Sequence, residues 1–325
     1  MDQESPGIDE RIGLIEGLTG DGRPLLAVMT LCLMLSGAFA IFQSATGHFL
    51  PHDVQYLGMD KEKLCGLNQC RIVHFMFHDR VSFGGSLLAI GCLYLWLLAF
   101  PMSRRESWAW WVFLVSGVSG FGSFLAYLGY GYLDTWHGIA TLFLLVPYIG
   151  GMAQCFKTHR VDRAPTVLLI PGARLHWTTS AGIGRLLLLA TGAGMMAGGA
   201  SITVIGMTAV FVPQDLRFMG LTAQELQAVN PKLIPLIAHD RAGFGGGLFT
   251  AGLTWLFCVW CGRPSKSLWQ ALLLAGVVGF ACAIGVHPLI RYNDFTHLLP
   301  AYAGAVLFIG GIALQIPKSK SRIPK

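Results

Sequence analysis

The chain has 325 residues, of which 54% are hydrophobic and only 12% charged, with a mean hydropathy of +0.57. Soluble domains carry about 25% charged residues, so these totals exclude a soluble globular protein, although the length alone admits two domains. The net charge of +6 points to Lys and Arg held at the cytoplasmic side of a membrane rather than to nucleic acid, and the partner it implies is a lipid bilayer.

Residues 1–21 form an acidic tail (Asp2, Glu4, Asp9, Glu10, Glu16, Asp21), unlike the basic start of a signal peptide. Apolar runs long enough to cross a bilayer then recur to the end of the chain. The first predicted span is 25–45, followed by a polar loop over 47–71 that contains Cys65 and Cys70. Span two runs over 78–100 and stops at Pro101 and Arg104-Arg105; span three covers 108–130 and span four 134–156. A basic linker with Pro165 and Pro171 occupies 157–181. Span five is 183–211, a second polar loop covers 212–235, and span six is 239–262. Span seven is 268–286 and span eight 294–316, before a basic tail at 317–325. The expected fold class is therefore an all-α integral membrane protein of eight transmembrane helices.

The chain is also one unit written twice, as four-helix repeats over 22–156 and 182–316. His78-Asp79-Arg80 with Phe83-Gly84-Gly85 returns as His239-Asp240-Arg241 with Phe244-Gly245-Gly246. Tyr132-x-Asp134-x-x-His137 returns as Tyr292-x-Asp294-x-x-His297. Pro51, Asp53 and Gly58 fall on Pro213, Asp215 and Gly220. Four spans per copy is an even number, so the copies enter the membrane in the same direction, as parallel repeats. Their glycine-rich faces allow close helix contact.

Fifteen of the 23 Lys and Arg lie in the tails and in the loops after spans two, four and six, which predicts cytoplasmic termini in a bacterial plasma (inner) membrane. The loops after spans one and five then face outward, where Cys65 and Cys70 can form a disulfide. His78, His137, His239 and His297 each lie 20 to 24 residues from the inner boundary of their span, or roughly 30–36 Å at 1.5 Å per residue. All four are thus expected at one level near the outer surface. Of the 17 acids, only Asp79, Asp134, Asp240 and Asp294 lie in or at the ends of spans, each within three residues of one of these histidines. Ionisable groups at membrane depth are costly and usually functional.

Two chemistries use this pattern. Two histidines at equal depth on separate helices of a four-helix unit can take both axial positions of a haem iron. His78 would pair with His137 and His239 with His297, while Arg80 and Arg241 bind propionates. Alternatively, His78, Asp79, Asp134 and His137, and again His239, Asp240, Asp294 and His297, are ligand types for Zn²⁺, Fe²⁺ or Mn²⁺. Either makes the chain a candidate membrane oxidoreductase with a redox partner or small-molecule substrate. A third reading is structural: Asp134 and Asp294 are helix N-caps, and His-Asp-Arg is a polar network holding the copies together in a scaffold. A fourth is a proton-linked carrier gated by the Asp/His clusters.

The layout resembles heme A synthase, a family of eight spans in two four-helix halves. That family has histidines in spans two, four, six and eight near the outer face and a cysteine pair in the first outer loop. The matching positions here are His78, His137, His239, His297, Cys65 and Cys70. The resemblance implies haem bound by those histidines. The family's glutamate before the span-two histidine is absent, with Phe75 three positions before His78, and Asp79 separates His78 from Arg80.

Other signals rank lower. His48, His52, His74 and His287 have no histidine counterparts and read as loop or interface residues. Cys258-x-x-Cys261 reads as two thiols at the inner end of span six.

Overall fold

The computed structural model describes residues 19–125, 132, 135–159, 161–162, 164–174, 176 and 178–317. The acidic tail up to residue 18, Asp134 and the tail from residue 318 lie outside the described residues. In chain order the helices are α1 (Arg23–Thr46), the short α2 (Pro51–Leu57) and α3 (Lys61–Asn68), α4 (Arg71–Leu97), α5 (Ser107–Leu125) and α6 (Thr135–Thr158). There follow α7 (Ser180–Met207), the short α8 (Pro213–Met219) and α9 (Ala223–Val229), α10 (Leu233–Cys261), α11 (Lys266–Ile290) and α12 (Phe295–Leu314). Seven of the described helices, α1, α4, α6, α7, α10, α11 and α12, are long and apolar enough to cross a membrane. The described part of α5 has 19 residues and packs among them.

Three boundaries differ from the expected ones in ways that matter. Both polar loops fold into pairs of short helices. Pro51 and Pro213 open α2 and α8 at the first turn, where a missing N–H costs nothing. Gly58 and Gly220, at φ 67 and 68, close them in the left-handed region that glycine adopts freely. Helices α4 and α10 begin at Arg71 and Leu233, well before His78 and His239, because their first turns carry buried apolar residues (Ile72, Phe75, Leu236, Ile237) that pack under the short helices. Helix α11 runs through Pro288 to Ile290 instead of stopping at Val286.

The long helices form a closed circuit. Helix α1 packs on α4, α4 on α11, α11 on α12, α12 on α7, α7 on α10, α10 on α5, α5 on α6, and α6 on α1. Helices α4 and α10 also touch each other across the middle. They are the central pair: 67% and 72% of their most apolar stretches are buried, against 22–28% for the other five membrane-length helices. Glycines set the closest crossings. A Cβ at Gly84 of α4 would stand 2.6 Å from the carbonyl oxygen of Gly37 on α1, and Gly199 of α7 faces Gly245 of α10 in the same way. Gly85, two turns below His78, admits Cys282 of α11, as Gly246 admits Ser123 of α5.

Two apolar cores result. One, around Leu93, Phe113 and Trp255, fills the body of the circuit. The other, around Leu64, Phe75 and Leu236, lies beneath the short helices. The stretches 78–86 of α4 and 239–250 of α10 run between the two.

Candidate metal centre

At the first of these stretches three histidines converge. His78 Nε2 lies 3.1 Å from His287 Nε2, and the His297 ring centroid is 5.6 Å from that of His78 and 5.4 Å from that of His287. One donor atom from each falls within 4.8 Å of the others, so the group could hold a metal ion. Carboxylates stand behind the rings. Asp79 Oδ1 is 3.0 Å from His78 Nδ1, and Asp215 Oδ1 is 3.9 Å from His297 Nδ1. Both are ion-pair distances; neither pair makes the hydrogen bond from Nδ1 that would fix a tautomer. Asp79 follows His78 directly, and neighbours on a helix point about 100° apart, yet its side chain turns back to the imidazole.

His287 is a member that sequence reasoning passed over. The predicted span ended at Val286, and His287 has no counterpart in the other half. Helix α11 continues past Pro288 to Ile290, which carries His287 to the buried side.

The second stretch holds a different pair. His137 Nδ1 is 3.1 Å from His239 Nε2, with the rings stacked at 5.3 Å and 10°. His52, expected in a solvated loop, has its ring 5.8 Å from His137. The partners expected within each half are therefore exchanged. His78 of the first half meets His287 and His297 of the second, and His239 of the second meets His137 of the first. The reason is the circuit: α4 packs on α11 and α10 on α5, so each central helix faces the other half.

The arginines follow the same exchange. Arg80 donates from Nε to Asp240 Oδ2 at 2.8 Å and from Nη1 to Asp53 Oδ2 at 2.7 Å, and the Tyr132 hydroxyl donates to Asp53 Oδ1 at 3.1 Å. Arg241 donates from Nη1 to Asp215 Oδ2 and to the Val210 carbonyl, and its Nε lies 3.6 Å from Asp79 Oδ2. The Tyr292 hydroxyl donates to Asp215 Oδ1 at 2.8 Å. Burial and the neighbouring Asp215 carboxylate push the Tyr292 phenol above its usual range, so its proton stays in place to donate. Asp53 and Asp215, expected in outer loops, are buried ligands of the two guanidiniums. Each occupies the third position of a Pro-initiated helix, and this turns the carboxyl inward.

Haem does not fit these pairs. Two axial imidazole nitrogens stand about 4 Å apart across an iron, at the ~2 Å typical of metal–imidazole bonds. Here the paired nitrogens are at hydrogen-bond distance, with no gap for a macrocycle between them. Arg80 and Arg241, expected on propionates, are committed to carboxylates.

Asp240 binds Arg80 and Asp294 caps α12, accepting from the His297 N–H at 3.0 Å. Asp294 also accepts from the Thr296 hydroxyl at 2.6 Å; that bond and the His297 N–H hold its carboxyl below its usual range. Neither aspartate belongs to the histidine trio. Asp134 lies outside the described residues. Cys65 and Cys70 are joined by a disulfide. Cys258 and Cys261 are free, buried thiols. His74 lies inside α4 rather than at a loop end.

No family model, no curated protein and no solved structure matches the chain.

Proposed function

We infer that the chain is a plasma-membrane protein of eight spans, two parallel four-helix copies with cytoplasmic termini, that binds a divalent transition-metal ion at its outer face for redox-type chemistry. The place of α5 in the circuit supports its reading as the eighth span. The observation that carries the metal is the convergence of His78, His287 and His297. Three imidazoles leave a coordination position open, and an ion bound there supplies a Lewis-acid or redox centre. Charge supports the same reading. Beside the trio the buried Arg241 guanidinium faces two buried carboxylates, Asp79 and Asp215, a formal excess of one negative charge that a cation offsets. The chain's own part is to place the Asp79 carboxylate beside His78 Nδ1, to close the site beneath α2 and α8, and to clamp the halves through Arg80–Asp240 and Arg241–Asp79.

The test is elemental analysis of protein extracted in mild detergent and then exposed in turn to Zn²⁺, Fe²⁺ and Mn²⁺. One ion per chain is expected, falling to background in His287→Ala and His297→Ala with helix content unchanged. Asp79→Asn is expected to weaken metal affinity by about 10- to 100-fold, as loss of an orienting carboxylate does. Wild-type protein that takes up none of the three ions would end the proposal.

A further inference from the structure

A second chamber lies beside the His137–His239 pair, away from the histidine trio. It is a cavity of about 660 Å³ enclosed by α1, α4, α5, α6 and α10. Along α1 its lining runs from Met29 to Ser44, fifteen helical steps, or about 22 Å at 1.5 Å per residue. It is therefore long and narrow, and its two ends differ. Leu33, Leu87, Ile90, Phe121 and Leu144 line the shaft. Gln43, His48, His52, Arg80, His137 and Asp240 gather at the histidine end.

The cavity opens sideways. Helices α1 and α6 are joined at the end remote from the histidines, where Gly22 faces Gly151 and Cys155, and Thr158 donates to the Asp21 carbonyl. Nearer the histidines the same two helices present Ser36, Phe39, Trp136 and Ala140, which line the cavity and are exposed on the outer surface of the circuit. In a membrane that surface faces lipid, so an occupant arrives from the bilayer.

Charge selects its head group. Arg80 is bound by both Asp53 and Asp240, so among the described residues the polar end has one carboxylate more than it has guanidinium. A phosphate or carboxylate head would add like charge at low dielectric, where it costs most. A neutral head with hydrogen-bonding oxygens does not. His137, His239 and Trp136 line this end of the cavity.

We propose that this cavity binds a membrane-dissolved isoprenoid quinone or quinol, with the uncharged ring beside His137 and His239 and the tail in the shaft between α1 and α6. The proposal is independent of the metal site, because the cavity lining excludes His78, His287 and His297. The full-length protein in detergent is titrated with decylubiquinone while tryptophan fluorescence is followed. Saturable binding of one molecule per chain is expected, both before and after treatment with a chelator. Ala40→Trp, which fills the shaft from α1, is expected to weaken binding at least about tenfold while circular dichroism and metal content hold. Should that variant fail to fold, photolabelling of the wild type with an azido-quinone decides, with adducts expected on peptides of α1 or α6. Four results would overturn the proposal: no saturable binding by the wild type; adducts confined to other helices; undiminished binding by folded Ala40→Trp; or a co-purified phospholipid or fatty acid that decylubiquinone does not displace.

Discussion

Each arginine at the histidine end is held by two carboxylates, and removing one carboxylate leaves the guanidinium only partly compensated. Asp215→Asn is expected to cost about 3–5 kcal/mol, the usual penalty for breaking a buried pair from one side. Asp215→Leu combined with Arg241→Met is expected to cost less than the sum of the two single changes, since the charge each single change leaves unpaired at the 215–241 pair is removed, although Asp79 loses its guanidinium. Unfolding midpoints in detergent for the two singles and the double would check both statements; a double mutant as damaged as the sum of the singles would contradict them. At this scale much of the site was legible. His78, Asp79, Arg80 and their repeats stand out because charge is rare in an apolar chain. Asp53 and Asp215 were visible as a matched pair in the repeat, but hydropathy assigned them to loops. Hydropathy along a chain does not register a carboxyl that a short helix turns inward onto an arginine from another element.

At the scale of the helix, small residues decide which elements touch. Gly84→Leu would drive a side chain into the backbone of α1 at Gly37. A loss of about 1–3 kcal/mol is expected, as for overpacking in a core, and thermal denaturation would measure it. The far end of the circuit is closed by polar contacts instead. Asp21, just before α1, accepts from Arg23 Nε at 2.6 Å and lies 3.1 Å from His159 Nε2 after α6. Burial opposes its charge, but the bonds to His159 and Arg23 outweigh that and hold the Asp21 carboxyl below its usual range. A carboxyl lowered in the folded state stabilises fully above its unfolded value, near pH 4. That contribution fades as the pH falls through the folded value. Asp21→Asn is therefore expected to lower the melting temperature above about pH 4 and to lose that effect as the pH falls further, which flattens the acid limb of the profile; an acid limb with the wild type's slope would show that the contact is idle. Helix existence was readable from apolar run length, because a bilayer fixes that length. Helix ends were less so. The first turns of α4 and α10 and the last turn of α11 are stabilised by packing under neighbouring elements, which a local reading of Pro288 or His78 does not contain.

At the scale of the whole chain, the two halves are interleaved, and each candidate site draws on both. Helix α5 carries Ser119 within 3.2 Å of Thr250 on α10. Ser119→Cys with Thr250→Cys is thus expected to form a disulfide on mild oxidation. After cleavage in the 157–181 linker, the fragments would stay joined on a non-reducing gel; separation would favour two self-contained bundles. What the sequence determined by itself is the membrane class and the identity of most polar groups, because each follows from composition or from residues that recur at fixed spacing. Which histidine meets which was decided by tertiary structure alone. A duplicated sequence is satisfied equally by helices packing within a copy or across copies. The choice falls to the glycine faces of α4 and α10, which make these two helices the shared centre and send His78 and His239 into opposite halves.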